Sequence, residues 1–143
     1  LIFGENLERS LYLARYRAAD LFLDTHPYNA GTTASDALKM GLPMLTMKGK
    51  SYQARMGASI VNAVNLPELI THSQEEYESL AIELASNPDK LKAIKEKLAS
   101  NLATAPLYDT KLFAKNIESA YTQMYERHHQ GLEPDHIYIS IPK

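Results

Sequence analysis

The stretch Asp24-Thr25-His26-Pro27-Tyr28-Asn29-Ala30-Gly31-Thr32-Thr33-Ala34-Ser35-Asp36-Ala37-Leu38 decides the fold. An apolar run ending at Leu23 stops at Asp24, a loop carrying Pro, Asn, Gly and Thr follows, and a short helix then opens. A strand that passes through a polar loop into a helix N-terminus makes an anion site. The first-turn N–H groups have no partner inside the helix, and the helix dipole favours negative charge there. Asp36 lies three residues after Thr33, where a carboxylate can reach a sugar hydroxyl. A phosphate beside a diol is the chemistry of a nucleotide sugar.

Outward from this stretch, Leu1–Phe3 and Leu21–Leu23 read as short strands, too brief for helices. Leu7, Leu11, Ala14 and Ala18 recur at helical spacing and predict a helix over 7–17 with an apolar face. A helix over 33–40 is closed by Gly41, and Pro43 forbids its continuation. Met44–Thr46 is a further strand. Residues 52–64 are helical, with Met56, Ile60, Val61 and Val64 on one side, and Leu69-Ile70 forms a last strand. Helices then follow alone. Ser73 and Glu76 form a capping-box pattern ahead of Tyr77, Leu80, Ile82 and Leu84. Asn87-Pro88 caps a helix bearing Leu91, Ile94 and Leu98. A long helix runs from Asp109 or Thr110 through Phe113, Ile117, Tyr121 and Met124 to about His128, before Gly131 and Pro134. The alternation predicts an α/β fold: a Rossmann-like parallel sheet with helices on both faces, ending in several helices. Ligands of such sheets sit beyond the carboxyl ends of the strands, where the loops after Leu23 and Thr46 fall.

At 143 residues the chain is long enough for one domain with a sizeable core. A net charge of −2 supplies no field to attract nucleic acid or anionic lipid. Cysteine is absent, which excludes disulfides, thiol catalysis and Cys-based zinc sites and fits a reducing compartment. No apolar run approaches the roughly 20 residues of a membrane span. The opening Leu1-Ile2-Phe3-Gly4 has neither an initiator Met nor a signal pattern and reads as a strand cut from a longer chain. His128, His129 and His136 lack the carboxylates that would complete a metal shell, so no metal site is expected. Neither a Gly-x-Ser-x-Gly elbow nor a Gly-x-Gly-x-x-Gly turn occurs.

From Leu23 to Ile70 the sequence resembles the C-terminal catalytic region of O-linked N-acetylglucosamine transferases, the bacterial SPINDLY-like members in particular. The resemblance runs through the opening stretch, Gly41-Leu42-Pro43-Met44-Leu45-Thr46, Gly49, Ala54-Arg55-Met56-Gly57-Ala58-Ser59 and Leu66-Pro67-Glu68-Leu69-Ile70, and continues in the tail at Met124–Arg127 and Pro134–Ile139. It implies a family 41 glycosyltransferase of GT-B architecture: two Rossmann-like halves with the donor in the cleft, this chain being most of the C-terminal half. Residues 1–130 would form the nucleotide-sugar-binding domain, truncated at its N-terminus, and residues 131–143 an extended tail. The implied reaction moves N-acetylglucosamine from UDP-GlcNAc to Ser or Thr of proteins, without a metal or other cofactor, in the cytoplasm. The implied partners are the UDP-sugar, a protein acceptor, and an upstream GT-B half with tetratricopeptide (TPR) repeats in the same polypeptide; nucleic acid and membrane are not among them. One plant branch of the family transfers fucose from GDP-fucose.

By the same resemblance Gly31, Thr32 and Thr33 fall on the family's phosphate-binding His-Thr-Thr, and Asp36 falls on its ribose-binding Asp. Arg9 falls on a Lys that contacts ribose, Tyr12 on the His that stacks on uracil, and Arg15 on an Arg one turn later. No catalytic residue is expected within the chain beyond leaving-group stabilisation at Thr32 and Thr33. Gly31 and Tyr12 depart from the family pattern. Gly31 removes a side-chain donor but lets phosphate approach the backbone, and Tyr12 keeps an aromatic face with different edge chemistry.

Blander readings stand beside these. Thr33-x-x-Asp36 is itself a capping box. Arg9, Tyr12 and Arg15, three apart, also describe a solvated helix face. Lys48 and Lys50 read as charge for the donor phosphates or as a solvated loop, His26 and Tyr28 as cleft or structural residues, and Arg55 as a partner in an intradomain salt bridge. Other hexosyl donors, a module that binds nucleotide sugar without transfer, and a protein-interaction surface at Ser73–Gln130 remain alternatives.

Overall fold

The computed structural model describes residues 3–139. Contacts divide the chain into two compact units, Leu1–Ala105 and Pro106–Lys143. In the first, helix α1 (Arg9–Arg15) leads through a 3-10 turn to strand β1 (Phe22–Leu23). Helix α2 (Thr32–Lys39), strand β2 (Met44–Met47), helix α3 (Gln53–Ala63) and strand β3 (Ile70–Thr71) follow in order. Helices α4 (Gln74–Ser86) and α5 (Pro88–Leu102) complete the unit. The strands form a parallel sheet in the order β1-β2-β3. Phe22 stands opposite Met44, and Thr46 opposite Ile70. Asp24 extends the β1 ladder by donating its N–H to the Leu45 carbonyl at 3.0 Å.

β2 is the central strand, so it is apolar on both faces: Met44 and Leu45 are fully buried. Leu38 from α2, Val61 from α3, Leu84 from α4 and Leu98 from α5 are fully buried as well. Each such side chain contributes roughly 1.5–3 kcal/mol over its exposed state. The punctuation is local. Gly41 adopts φ +83°, which ends α2 at little steric cost. Ser73, Asn87 and Asp109 each accept the N–H three residues on, at 3.2, 3.1 and 2.9 Å. The Glu76 carboxylate returns to the His72 N–H at 2.8 Å, one residue earlier than a standard box. α3 ends with Asn65 at φ +56°, and the Asn101 amide from α5 donates to the Val64 carbonyl at 2.9 Å.

Three expectations are corrected. Phe3 is 89% exposed and lies in no strand, because none of the described strands pairs with it; Leu1 and Ile2 lie outside the described residues. No residue of α1 is buried, and Leu11 is exposed; this helix meets the rest of its unit through polar and aromatic side chains. Ile82 is exposed, since Tyr77, Leu80 and Leu84 share one face of α4 and a residue five beyond Tyr77 lies opposite.

Among the described residues, the second unit comprises a 3-10 turn at Pro106–Tyr108, helix α6 (Thr110–His129) and a segment over 132–139 without regular structure, preceded by Gly131 at φ +66°. Within it, the His129 ring packs edge-on to Tyr125 with centroids 4.3 Å apart.

Candidate functional site

The loop from Asp24 to Gly31 is held by one buried side chain. The Asp24 carboxylate accepts the Thr25 and Ala30 N–H groups at 2.9 and 2.8 Å, and the Thr46 hydroxyl from β2 at 2.6 Å. The Tyr77 hydroxyl of α4 donates to the Asp24 carbonyl at 2.9 Å. Burial, and then the charge of Asp24, push that hydroxyl above its ordinary range. Within the loop, the Thr25 hydroxyl donates to the Tyr28 carbonyl at 2.6 Å and the Asn29 amide to the Thr25 carbonyl at 2.8 Å. The Asn29 side-chain oxygen in turn accepts the Gly57 N–H of α3 at 3.3 Å. The His26–Pro27 peptide is cis. A Cβ at Gly57 would stand 2.3 Å from both the Asp24 carboxylate and the Thr46 hydroxyl, so glycine is required there.

This brace sets the start of α2. Gly31 occupies the N-cap at φ −108° with no side-chain cap. Its carbonyl accepts the Ser35 N–H at 3.0 Å, and Thr32 and Thr33 are exposed in the first turn. The capping-box alternative is not realised: both oxygens of Asp36 accept instead from the Arg9 guanidinium, at 2.9 and 2.8 Å. Asp36 is buried while Arg9 remains largely exposed. The bond to Asp36 raises the Arg9 guanidinium above its already high ordinary value.

The spacing of Arg9, Tyr12 and Arg15 does produce one face. The two guanidinium carbons lie 5.6 and 5.8 Å from the Tyr12 ring centroid, within cation–π range. The Tyr12 and Tyr16 hydroxyls stand 2.5 Å apart, and Tyr16 donates to the Thr33 carbonyl at 3.4 Å. Burial, and then the Tyr12 hydroxyl, push the Tyr16 hydroxyl up. α1 and the 3-10 turn that follows it are therefore tied to α2 at two points, by Arg9 at Asp36 and by Tyr16 at Thr33. Tyr12, Arg15 and Tyr16 also line a groove of about 370 Å³ beside Phe22 and Leu23.

Other candidates lie elsewhere. His26, Lys48 and Lys50 line a different concavity, of about 480 Å³, to which none of the seven donor-site candidates contributes. Tyr28 is exposed rather than packed under the loop. Arg55 makes no ion pair among the described residues, which corrects the salt-bridge expectation; it is exposed on the outer side of α3. The Asp24 network was missed. Its only sequence signal is an acid ending an apolar strand, and Thr46 and Tyr77 carry none.

A braced loop leading from a parallel strand to a helix N-terminus, with a carboxylate one turn in, is the edge of an α/β sheet at which such folds commonly hold anionic ligands. Residues 1–117 match the profile of glycosyl transferase family 41, and the chain belongs to that family. It is 36% identical to SEC of Arabidopsis thaliana over 97% of its own length and 14% of that protein's. It is 31% identical to the UDP-N-acetylglucosamine–peptide N-acetylglucosaminyltransferase of Caenorhabditis elegans, over 96% and 12% of the respective chains. An O-GlcNAc transferase mutant from Thermobaculum terrenum superposes with a TM-score of 0.82 at 33% identity, covering 87% of this chain and 24% of that one. The chain thus spans about one-seventh of the first of these relatives.

Proposed function

We propose that this chain is the donor-binding part of a glycosyltransferase that moves N-acetylglucosamine from UDP-GlcNAc to Ser or Thr hydroxyls of proteins without a metal. The observation that carries the reading is the uncapped N-terminus of α2, held at the end of β1 by the Asp24 brace. In transfer, the bond between the anomeric carbon and the β-phosphate oxygen breaks, and a bond to the acceptor oxygen forms. The acceptor proton leaves to a base outside this chain, and negative charge grows on the departing UDP. N–H groups from Gly31 to Thr33, with the positive end of α2, stabilise that charge and need no reorganisation to do so. Asp36 takes a ribose hydroxyl while Arg9 holds it in place, and Tyr12 offers its face to the base, with Arg15 beside it. Residues 1–130 form this domain, 131–143 its tail, and the intact protein works in the cytoplasm with the rest of its GT-B fold and TPR repeats upstream. The 143-residue chain alone, without the acceptor-activating machinery upstream, is expected to bind donor poorly and to transfer nothing.

The test is a donor screen on the full-length protein with UDP-GlcNAc, UDP-glucose and GDP-fucose, together with calorimetry of UDP. Transfer from UDP-GlcNAc and binding of UDP are expected. A protein that takes only GDP-fucose, or binds no nucleotide, overturns the reading.

A further inference from the structure

A second feature lies further along the same edge of the sheet. The concavity of about 480 Å³ is lined by His26, Lys48, Lys50 and His72 beside Ser51 and Gly49. A neighbouring one of about 360 Å³ shares Lys48 and His72 and adds Arg55. Neither lining contains an Asp or Glu, although acidic residues outnumber Lys and Arg in the chain, 17 to 15. Several surface cations elsewhere are paired, while Arg15, Arg17, Lys111 and Lys115, like those of the strip, are in no ion pair among the described residues. Lys90, Lys95 and Lys97 each hold a carboxylate within 2.7 Å, and Arg9 holds Asp36. Lys48, Lys50 and Arg55 hold none among the described residues, and all three are exposed. Of the nearby acids, Glu68 is engaged by Lys97 and Glu76 by the His72 N–H.

The strip is built, not frayed. The Lys48 N–H donates to the Thr71 carbonyl at 2.9 Å, and the Gly49 N–H to the Ala54 carbonyl at 2.7 Å. A Cβ on Gly49 would stand 3.0 Å from the His26 ring, so the loops after β1 and β2 touch. The strip therefore starts in the loop that precedes α2 and runs toward β3. Its cations are spread over two concavities, which suits an extended segment bearing several anions better than one phosphate.

We propose that this strip is the acceptor subsite for acidic side chains, selecting polypeptides that carry Asp or Glu beside the modified hydroxyl. The proposal rests on the reading that the chain is the donor half of a protein glycosyltransferase: the donor's phosphates are assigned to α2, which leaves the strip to the second substrate.

The experiment uses the full-length protein and three peptides that differ only in flanking Glu, Gln or Lys. Fluorescence anisotropy reads binding, and transfer assays read kcat/KM. The Glu peptide is expected to exceed the Gln peptide by about tenfold in both at low salt, as several exposed pairs of up to ~1 kcal/mol each allow. That preference should shrink with added NaCl as screening rises. In Lys48→Gln/Lys50→Gln the ratio of Glu to Gln peptide should fall to within about twofold, through KM. Unchanged melting of this variant is checked first, and Arg55→Gln serves as the second variant. Equal loss on both peptides would mean that the lysines serve the donor, and would overturn the proposal. So would equal binding of the Glu and Gln peptides to the wild type, or displacement of the Glu peptide by inorganic phosphate or an RNA oligonucleotide at matched ionic strength. Selective binding of the Glu peptide without transfer from any donor would uphold the strip and sink only the transferase reading.

Discussion

Arg9 grips Asp36 with both outer nitrogens of its guanidinium, across 27 residues of sequence. The pair joins α1 to α2 beside the helix start to which the donor phosphates are assigned. A carboxylate oxygen has two acceptor directions, so Asp36 can keep Arg9 and still accept a ribose hydroxyl.

Asp36→Ala is expected to weaken UDP binding by the full-length protein roughly ten- to a hundredfold, the range for a lost hydrogen bond to a charged group. Arg9→Met should weaken it less, because the carboxylate remains. Calorimetry showing unchanged affinity in Asp36→Ala removes the ribose role.

Thr32→Ala combined with Thr33→Ala should lower kcat more than it raises the Kd for UDP-GlcNAc, since leaving-group charge exists only in the transition state. Single-turnover kinetics beside equilibrium binding separate the two. Equal losses would mean uniform binding of donor and transition state.

Two glycines predict opposite outcomes. Gly57→Ala drives a methyl into Asp24 and Thr46 and should cost about 1–3 kcal/mol in thermal or denaturant unfolding. Gly31→Ala meets nothing within 4 Å, and its φ is negative, so the melting temperature should stay put. A change in donor affinity in that variant then reports the closeness of phosphate to the backbone.

Tyr77 gives a pH test. Its folded-state pKa is raised above its ordinary value near 10, so its contribution is complete below that value and is lost as pH climbs through the folded one. Tyr77→Phe should cost about 1 kcal/mol at neutral pH. The gap between the two proteins should narrow above pH ~10. A gap independent of pH across the alkaline range would show that the hydroxyl does not sense its surroundings.

Local features of this fold are legible in the sequence because their causes are local. The strand ending at Leu23, the stop at Gly41 and Pro43, and the caps at Ser73, Asn87 and Asp109 each depend on neighbours a few residues away. The spacing of Arg9, Tyr12 and Arg15 likewise showed that they share a face. Spacing says which residues lie together, not what they meet. It could not show Arg9 capturing Asp36, nor that the apolar side of α1 stays uncovered. The Asp24 brace joins residues 22 and 53 positions apart, Thr46 and Tyr77. A hydroxyl in a buried strand and a tyrosine on a helix carry no mark of such a partner. Lys48, Lys50, His26, His72 and Arg55 are unremarkable singly, and only the parallel sheet gathers them on one edge.

The Asp24 brace has a genetic consequence. A screen for lost glycosylation should recover substitutions at Thr46, Gly57 and Tyr77 beside those at Gly31–Thr33, though none of the three needs to meet a substrate. Such alleles would masquerade as catalytic lesions. Their signature is rescue at lower growth temperature, which a true loss of donor contacts would not show.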